Sequence, residues 1–204
     1  MRLASEMYKT VFKPLTDFLG ALILLPFVIL VVFFFAPVIW LTDRGPIFYN
    51  APRTGLYCRQ FKMFKLRSMY VNAPDLRNTD GSTYNASDDP RVTPIGRFLR
   101  KTSIDELPQL LNVLLGQMSF VGPRPTLGHN DIRFEELEGD FKQRFKVKPG
   151  ITGYAQAYFR NSIPQAEKFH WDAYYVDHVG MLLDAKILFR TFFAVIREKN
   201  INGA

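Results

Sequence analysis

With a single cysteine, Cys58, in 204 residues, the chain can form no internal disulfide and cannot rest its fold on a covalent scaffold. That excludes the disulfide-stapled secreted class and fits a reducing compartment. Acids are in deficit as well: 19 Asp and Glu against 26 Lys and Arg leave a formal charge of +7. A surplus of that sign calls for an anionic partner, whether lipid headgroups, phosphorylated substrates or nucleic acid. Neither an internal repeat nor a low-complexity tract is present, so repeat arrays and compositionally biased linkers are set aside. The most informative absence is local. From Phe18 to Leu41, 24 consecutive residues carry no charged or strongly polar side chain.

As a helix that run reaches ~36 Å, longer than the ~30 Å hydrocarbon core of a bilayer. It is too long and apolar for the buried helix of a small soluble protein, and the lack of an A-x-A-like cleavage site after it argues against a removable signal peptide. The segment is therefore expected to lie in a membrane. Pro26 and Pro37 each remove a backbone donor and predict a bent or broken helix. Basic residues flank both ends: Arg2, Lys9 and Lys13 before it, and Arg44, Arg53, Arg59, Lys62, Lys65 and Arg67 after it. Positive residues favour the cytoplasmic side, so a re-entrant helix-break-helix that enters and leaves by one leaflet is expected in preference to a tilted crossing. Residues 1–42 form the anchor and residues 43–204 one domain of ordinary size.

Beyond the anchor, Gly45–Tyr49 reads as β-like and Pro52–Gly55 as a turn. Phe61–Arg67 alternates apolar with basic residues as a strand does. Residues 72–94 are polar and predict a long loop. Leu107, Leu110, Leu111, Leu114 and Leu115 predict a helix over 104–115 that begins near Ser103–Asp105. The stretch 130–145 is expected to be helical, and two helices, roughly 164–178 and 181–198, close the chain. The last presents Leu182, Leu183, Ile187, Leu188, Phe192, Phe193, Val195 and Ile196 on a wide apolar face, expected to be core with a headgroup-layer placement as the alternative. The fold class is α+β and mainly helical, with a few short strands.

Ser103-Ile104-Asp105-Glu106 has a structural explanation, since Ser followed three residues later by Glu is a capping box and acids in a first turn suit the helix dipole. The chemical explanation draws on the neighbours. Arg97, Arg100 and Lys101 stand upstream, and Arg124 sits between Pro123 and Pro125 downstream. Carboxylates and guanidinium groups gathered at a helix start can hold a divalent metal and a diphosphate, which points to phosphoryl transfer. Adjacent helical positions lie about 100° apart, so the pair would not flank a sugar as glycosidase acids do.

In order along the chain stand Lys65-Leu66-Arg67-Ser68-Met69, the run Gly96 to Leu110, Asn112-Val113-Leu114, Met118 to Pro125, and Pro149 to Gln156. This series resembles the bacterial sugar transferases, the monotopic phosphoglycosyl transferases that act on polyprenyl phosphate, and the resemblance covers nearly the whole chain. It implies a small catalytic domain on the cytoplasmic face of the bacterial inner membrane, with interfacial amphipathic helices. It implies attack by Asp105 on the β-phosphate of a UDP-sugar, departure of UMP, and transfer of the phosphosugar to polyprenyl phosphate. Glu106 would support Asp105, and the two would hold Mg²⁺. Arg100, Arg124, Lys65 and Arg67 would grip phosphates, and Lys148, Pro149 and Gly150 the nucleotide end. Inner-membrane lipids, downstream glycosyltransferases and a second copy of the chain are the implied partners. The family's usual Ser-Pro helix break, expected near Ile29 and Leu30, is missing here. A non-catalytic scaffold holding anionic lipids is the competing class. Nucleic acid is not an expected partner, because the basic residues are dispersed and a membrane anchor stands in front of them.

Overall fold

The computed structural model describes residues 6–76, 84, 86, 88–128, 132–160 and 162–196. Arg2, the loop residues 77–83, Asn130 and Arg197 lie outside the described residues. After a π-helical turn at Tyr8–Phe12, helix α1 spans Lys13–Asp43, 31 residues and about 46 Å. It runs unbroken through Pro26 and Pro37, so the expected interruption is replaced by a continuous helix. Proline is tolerated in such apolar helices where packing and local adjustment compensate the lost donor.

One stripe of α1 faces the domain. Ala21 and Val28 pack with Phe61, Met63, Leu110, Val113 and Met118, while Ile39 packs with Leu66 and Leu99. The opposite side is apolar and exposed, with Ile23, Phe27, Ile29, Phe33 and Phe34 outward. Both ends are tied to the same domain by charge. Lys13 Nζ meets Asp184 Oδ2 at 2.6 Å, an oxygen that also accepts from the Tyr8 hydroxyl. Asp43 receives both terminal nitrogens of Arg67, each at 2.6 Å.

The domain carries two small sheets. Strand β1 (Ala51–Thr54) lies between β2 (Gln60–Met63) and β4 (Thr126–Leu127), all antiparallel, with Ala51 opposite Met63 and Arg53 opposite Leu127. Strand β3 (Ser119–Val121) runs parallel to β5 (Gly150–Thr152), Ser119 opposite Gly150 and Val121 opposite Thr152. The turn expected at Pro52–Gly55 is thus strand as far as Thr54, because proline's fixed φ suits extended backbone, and the chain turns at Leu56–Cys58 instead. Gly45–Tyr49 contributes a single bridge, Phe48 to Leu66.

The helices are α2 (Pro94–Lys101), α3 (Gln109–Leu114), α4 (Gly139–Gln143), α5 (Tyr154–Tyr158), α6 (Gln165–Asp177) and α7 (Met181–Ile196). Thr93 caps α2, its hydroxyl accepting from the Gly96 amide at 2.9 Å. The helix expected over 104–115 is shorter: α3 begins after Pro108, and Ile104–Glu106 is a separate 3₁₀ turn. The region up to Phe145 breaks into α4 and two 3₁₀ turns. The two closing helices fall where expected. Of the α7 face, Ile187 enters the core with Tyr175 and Val176, while Leu182, Leu188, Phe189 and Phe192 point outward. The wide face thus divides into a narrow inward edge and a larger exposed one.

Candidate active site

The chain reverses at Ser103, whose φ of 58° places it in the left-handed region. That conformation costs a non-glycine residue roughly 1–2 kcal/mol and recurs at functional positions. Ser103 makes no side-chain cap, and Glu106 does not fold back toward it, so the capping box does not form. The backbone of Asp105 instead accepts the Leu66 amide at 2.9 Å, which locks the 3₁₀ turn against the segment carrying Lys65.

Lys65 Nζ lies 2.8 Å from Asp105 Oδ2 and 3.4 Å from Glu106 Oε1. Arg124 completes the group, its Nη2 donating to Glu106 Oε1 at 3.2 Å. Asp105 is 2 % exposed and Arg124 57 %, so the site grades from a sealed carboxylate to an open guanidinium. Arg100 donates from Nε to the Ser68 hydroxyl at 2.8 Å, and its charge is felt at Asp105.

The two carboxylates titrate apart. Burial pushes the Asp105 carboxyl above the ordinary range and Glu106 reinforces that, against the pull of Lys65 and Arg100. Burial acts on Glu106 in the same direction, but Arg124 and Lys65 prevail and hold it at about 2. Paired groups with pKa values driven apart mark a division of labour between carboxylates.

Not every sequence candidate arrives here. Arg67 is buried and belongs to the anchor: it holds Asp43 and donates to the carbonyls of Ile39, Pro46 and Met69. Lys148 points toward the Gly116 turn, where its Nζ would lie 3.6 Å from an added Cβ. Pro149 and Gly150 act through the backbone. The Gly150 amide donates to the Pro123 carbonyl at 2.9 Å, and a Cβ on Gly150 would stand 2.1 Å from the Gly122 nitrogen. A small open cleft borders Arg124, lined by Thr54, Gly55, Pro123, Pro125, Arg144 and Pro149 among others. Asp105 does not line it.

Among the described residues no set of three or more His, Cys, Asp or Glu gathers around a metal position. The two carboxylates remain a hard-oxygen pair of the kind Mg²⁺ takes, an ion that keeps waters and draws further ligands from substrate phosphates. Asp105 Oδ2 fits that role, since it is buried and, among the described residues, is met by the Lys65 ammonium alone.

The profile of the bacterial sugar transferases matches residues 8–198. The chain belongs to the bacterial sugar transferase family. This sugar transferase is 40% identical over 191 residues to the uncharacterized sugar transferase EpsL of Bacillus subtilis, covering 94% of this chain and 90% of that one. It is 38% identical over 191 residues to the exopolysaccharide production protein PSS of Rhizobium leguminosarum, at 90% and 92% coverage. Over 159 residues it is 42% identical to the UDP-glucose:undecaprenyl-phosphate glucose-1-phosphate transferase of Escherichia coli, covering 75% of this chain and 33% of that longer protein.

Two parts of the sugar transferase site escape sequence reasoning. Ser68 orients Arg100; it stands within the Lys65–Met69 motif, but that motif assigns it no role of its own. Arg144 reaches the Arg124 loop from 20 positions away, and its only signal is a basic residue beside the phenylalanine of an otherwise polar stretch.

Proposed function

We propose that the chain transfers a sugar 1-phosphate from a UDP-sugar to undecaprenyl phosphate, with Asp105 as nucleophile. The observation that carries this reading is the Asp105–Glu106 pair, one carboxylate sealed and short of hydrogen bonds and the other clamped by Lys65 and Arg124. Relatives of the family support the substrate class, for the Escherichia coli protein is named for transfer of glucose 1-phosphate from UDP-glucose to undecaprenyl phosphate.

In the first half-reaction an Asp105 oxygen bonds to the β-phosphorus while the bond from that phosphorus to the bridging oxygen breaks. UMP leaves with the electron pair, and the phosphosugar stays on the enzyme as an acyl phosphate. An oxygen of polyprenyl phosphate then attacks the same phosphorus, the Asp105 carboxylate departs, and a polyprenyl diphosphate sugar is formed. Splitting one displacement in two is the function of a covalent intermediate. Lys65, largely buried beside Asp105, and Arg124, at the open end of the site, offset charge on the diphosphate oxygens. Arg100, aligned by Ser68, adds positive charge that is felt at Asp105. A Mg²⁺ ion held by Asp105 and Glu106 would supply further charge neutralisation at the diphosphate.

The anchor reading is monotopic. Support comes from the two ends of α1, both ion-paired to one domain, since a helix crossing the bilayer would carry one end away. The outward apolar residues of α1 and α7 would face lipid, with the domain on the cytoplasmic side.

The deciding assay incubates the purified full chain with undecaprenyl phosphate, Mg²⁺ and a panel of UDP-sugars. Release of UMP is expected. Release of UDP would mark direct glycosyl transfer and end the proposal, absence of nucleotide release with every donor would return the chain to the scaffold class, and loss of turnover on changing a single carboxylate would exclude that class.

A further inference from the structure

The geometry points to Arg144 as a positioning residue that fixes the main chain of Arg124 and thereby aims the Arg124 guanidinium at the diphosphate site. This rests on the reading of Arg124 as a phosphate-binding group.

Arg124 is more than half exposed, so packing does not hold its side chain. Its backbone is held on both sides. Pro123 and Pro125 restrict φ on either flank, and the Pro123 carbonyl accepts the Gly150 amide at 2.9 Å. The carbonyl of Arg124 itself accepts Nη2 of Arg144 at 2.6 Å. With both neighbouring peptide planes fixed, only side-chain torsions remain between Arg124 and Glu106.

Arg144 is itself tightly placed. It is 3 % exposed, and Asp172, also buried, takes Nε at 3.1 Å and Nη2 at 2.9 Å. Phe169 lies under the guanidinium at 4.6 Å, with Phe145 at 5.6 Å and Phe141 at 5.9 Å. Such a buried pair is a poor device for stability, because apolar side chains of similar size commonly do as well. Among the described residues Nη1 of Arg144 has no partner, a further cost of burying the group. What the pair does that apolar residues could not do is donate to the Arg124 carbonyl. The planar fork binds the carboxylate and the carbonyl in one fixed plane, whereas an ammonium is a point charge without that plane.

The test is a double-mutant cycle on the full chain in nanodiscs, comparing wild type, Arg124→Ala, Arg144→Lys and the double variant. UDP affinity is read by calorimetry, turnover by UMP release with the most active donor of the panel, and melting temperature separately. Arg144→Lys keeps the charge opposite Asp172 and is expected to weaken UDP binding and kcat/KM by about tenfold, in the range that a displaced positioning group costs. In the Arg124→Ala background it should add less than about twofold, because the two act on one element. Any loss of melting temperature should be the same in both backgrounds. Equal losses in activity in both backgrounds would overturn the inference and leave Arg144 a structural residue. If Arg124→Ala itself binds UDP and turns over as wild type does, the role of Arg124 falls first. Should Arg144→Lys fail to fold, Asp172→Asn replaces it in the cycle, and an additive loss there overturns the inference equally.

Discussion

Replacing Asp105 by Asn separates the chemistry of this site from its stability. The side chain is buried, Oδ2 meets the Lys65 ammonium alone among the described residues, and the carboxyl is pushed upward by burial and by Glu106 more than Lys65 and Arg100 can offset. A raised carboxyl pKa means that the charged form is disfavoured in the folded state, so this term weakens the fold as pH rises through the folded pKa. Asn keeps the shape and removes the charge. The attraction lost is that of Lys65 at 2.8 Å, roughly 6 kcal/mol in gross terms at an effective dielectric near 20. Burial and the Glu106 charge outweigh it, since the carboxyl is pushed upward on balance, so a neutral side chain at this position should leave the melting temperature unchanged or raise it. Activity should fall by about 10⁴-fold or more, as expected when a nucleophile is removed. Calorimetry beside a UMP-release assay checks both. A drop of more than about 5 °C would refute the reasoning, because it would make the carboxylate a structural partner of Lys65.

Glu106→Gln should behave differently. Glu106 is held at about 2 against an ordinary 4.5, so its contribution to stability is complete above pH 4.5 and disappears as pH falls toward 2. Unfolding followed across that window should show a flatter acid limb in the variant, and an unchanged slope would remove the Arg124 and Lys65 clamp. Arg67→Ala leaves Asp43 without its partner near the end of α1 and should cost about 3–5 kcal/mol, measured by denaturant unfolding in detergent. A loss below about 1 kcal/mol would mean that this end of the anchor is not tied to the domain. Gly150→Ala would put a Cβ 2.1 Å from the Gly122 nitrogen and 2.2 Å from the Thr152 oxygen, so a loss of several kcal/mol and of Arg124 function is expected. Wild-type behaviour in that variant would show that β3 and β5 do not approach so closely.

The long apolar run, the short strand after it and the two closing helices were legible in the sequence because each has a strong period or length signal. The site was legible as a set of ordered motifs, and Lys65, Arg100, Asp105, Glu106 and Arg124 do come together around one turn. What was misread depends on tertiary geometry. Ser103 and Glu106 satisfy the spacing of a capping box, yet Ser103 takes a left-handed φ without capping and Glu106 pairs with Lys65 and Arg124 instead. Arg67 sits two residues from Lys65, a spacing that a continuing strand would place on one face, but β2 ends at Met63 and Arg67 instead reaches Asp43 at the end of α1. Pro26 and Pro37 read as breaks, but the α1 stripe packed on Phe61, Met63 and Leu110 holds the helix through them. The α7 face was expected in the core with a headgroup-layer placement as the alternative, and it divides, Ile187 and Leu183 packing inward while Leu182, Leu188, Phe189 and Phe192 are exposed, a split that apolar periodicity alone does not reveal.

The central claim is tested most directly by the intact mass of the protein after incubation with Mg²⁺ and an active UDP-sugar, polyprenyl phosphate being withheld. One phosphosugar should be added to the wild-type chain, mapped to Asp105, with a matching amount of UMP, and the mass of Asp105→Asn should not change. An adduct that persists in Asp105→Asn, or one that maps to another side chain, would contradict the account.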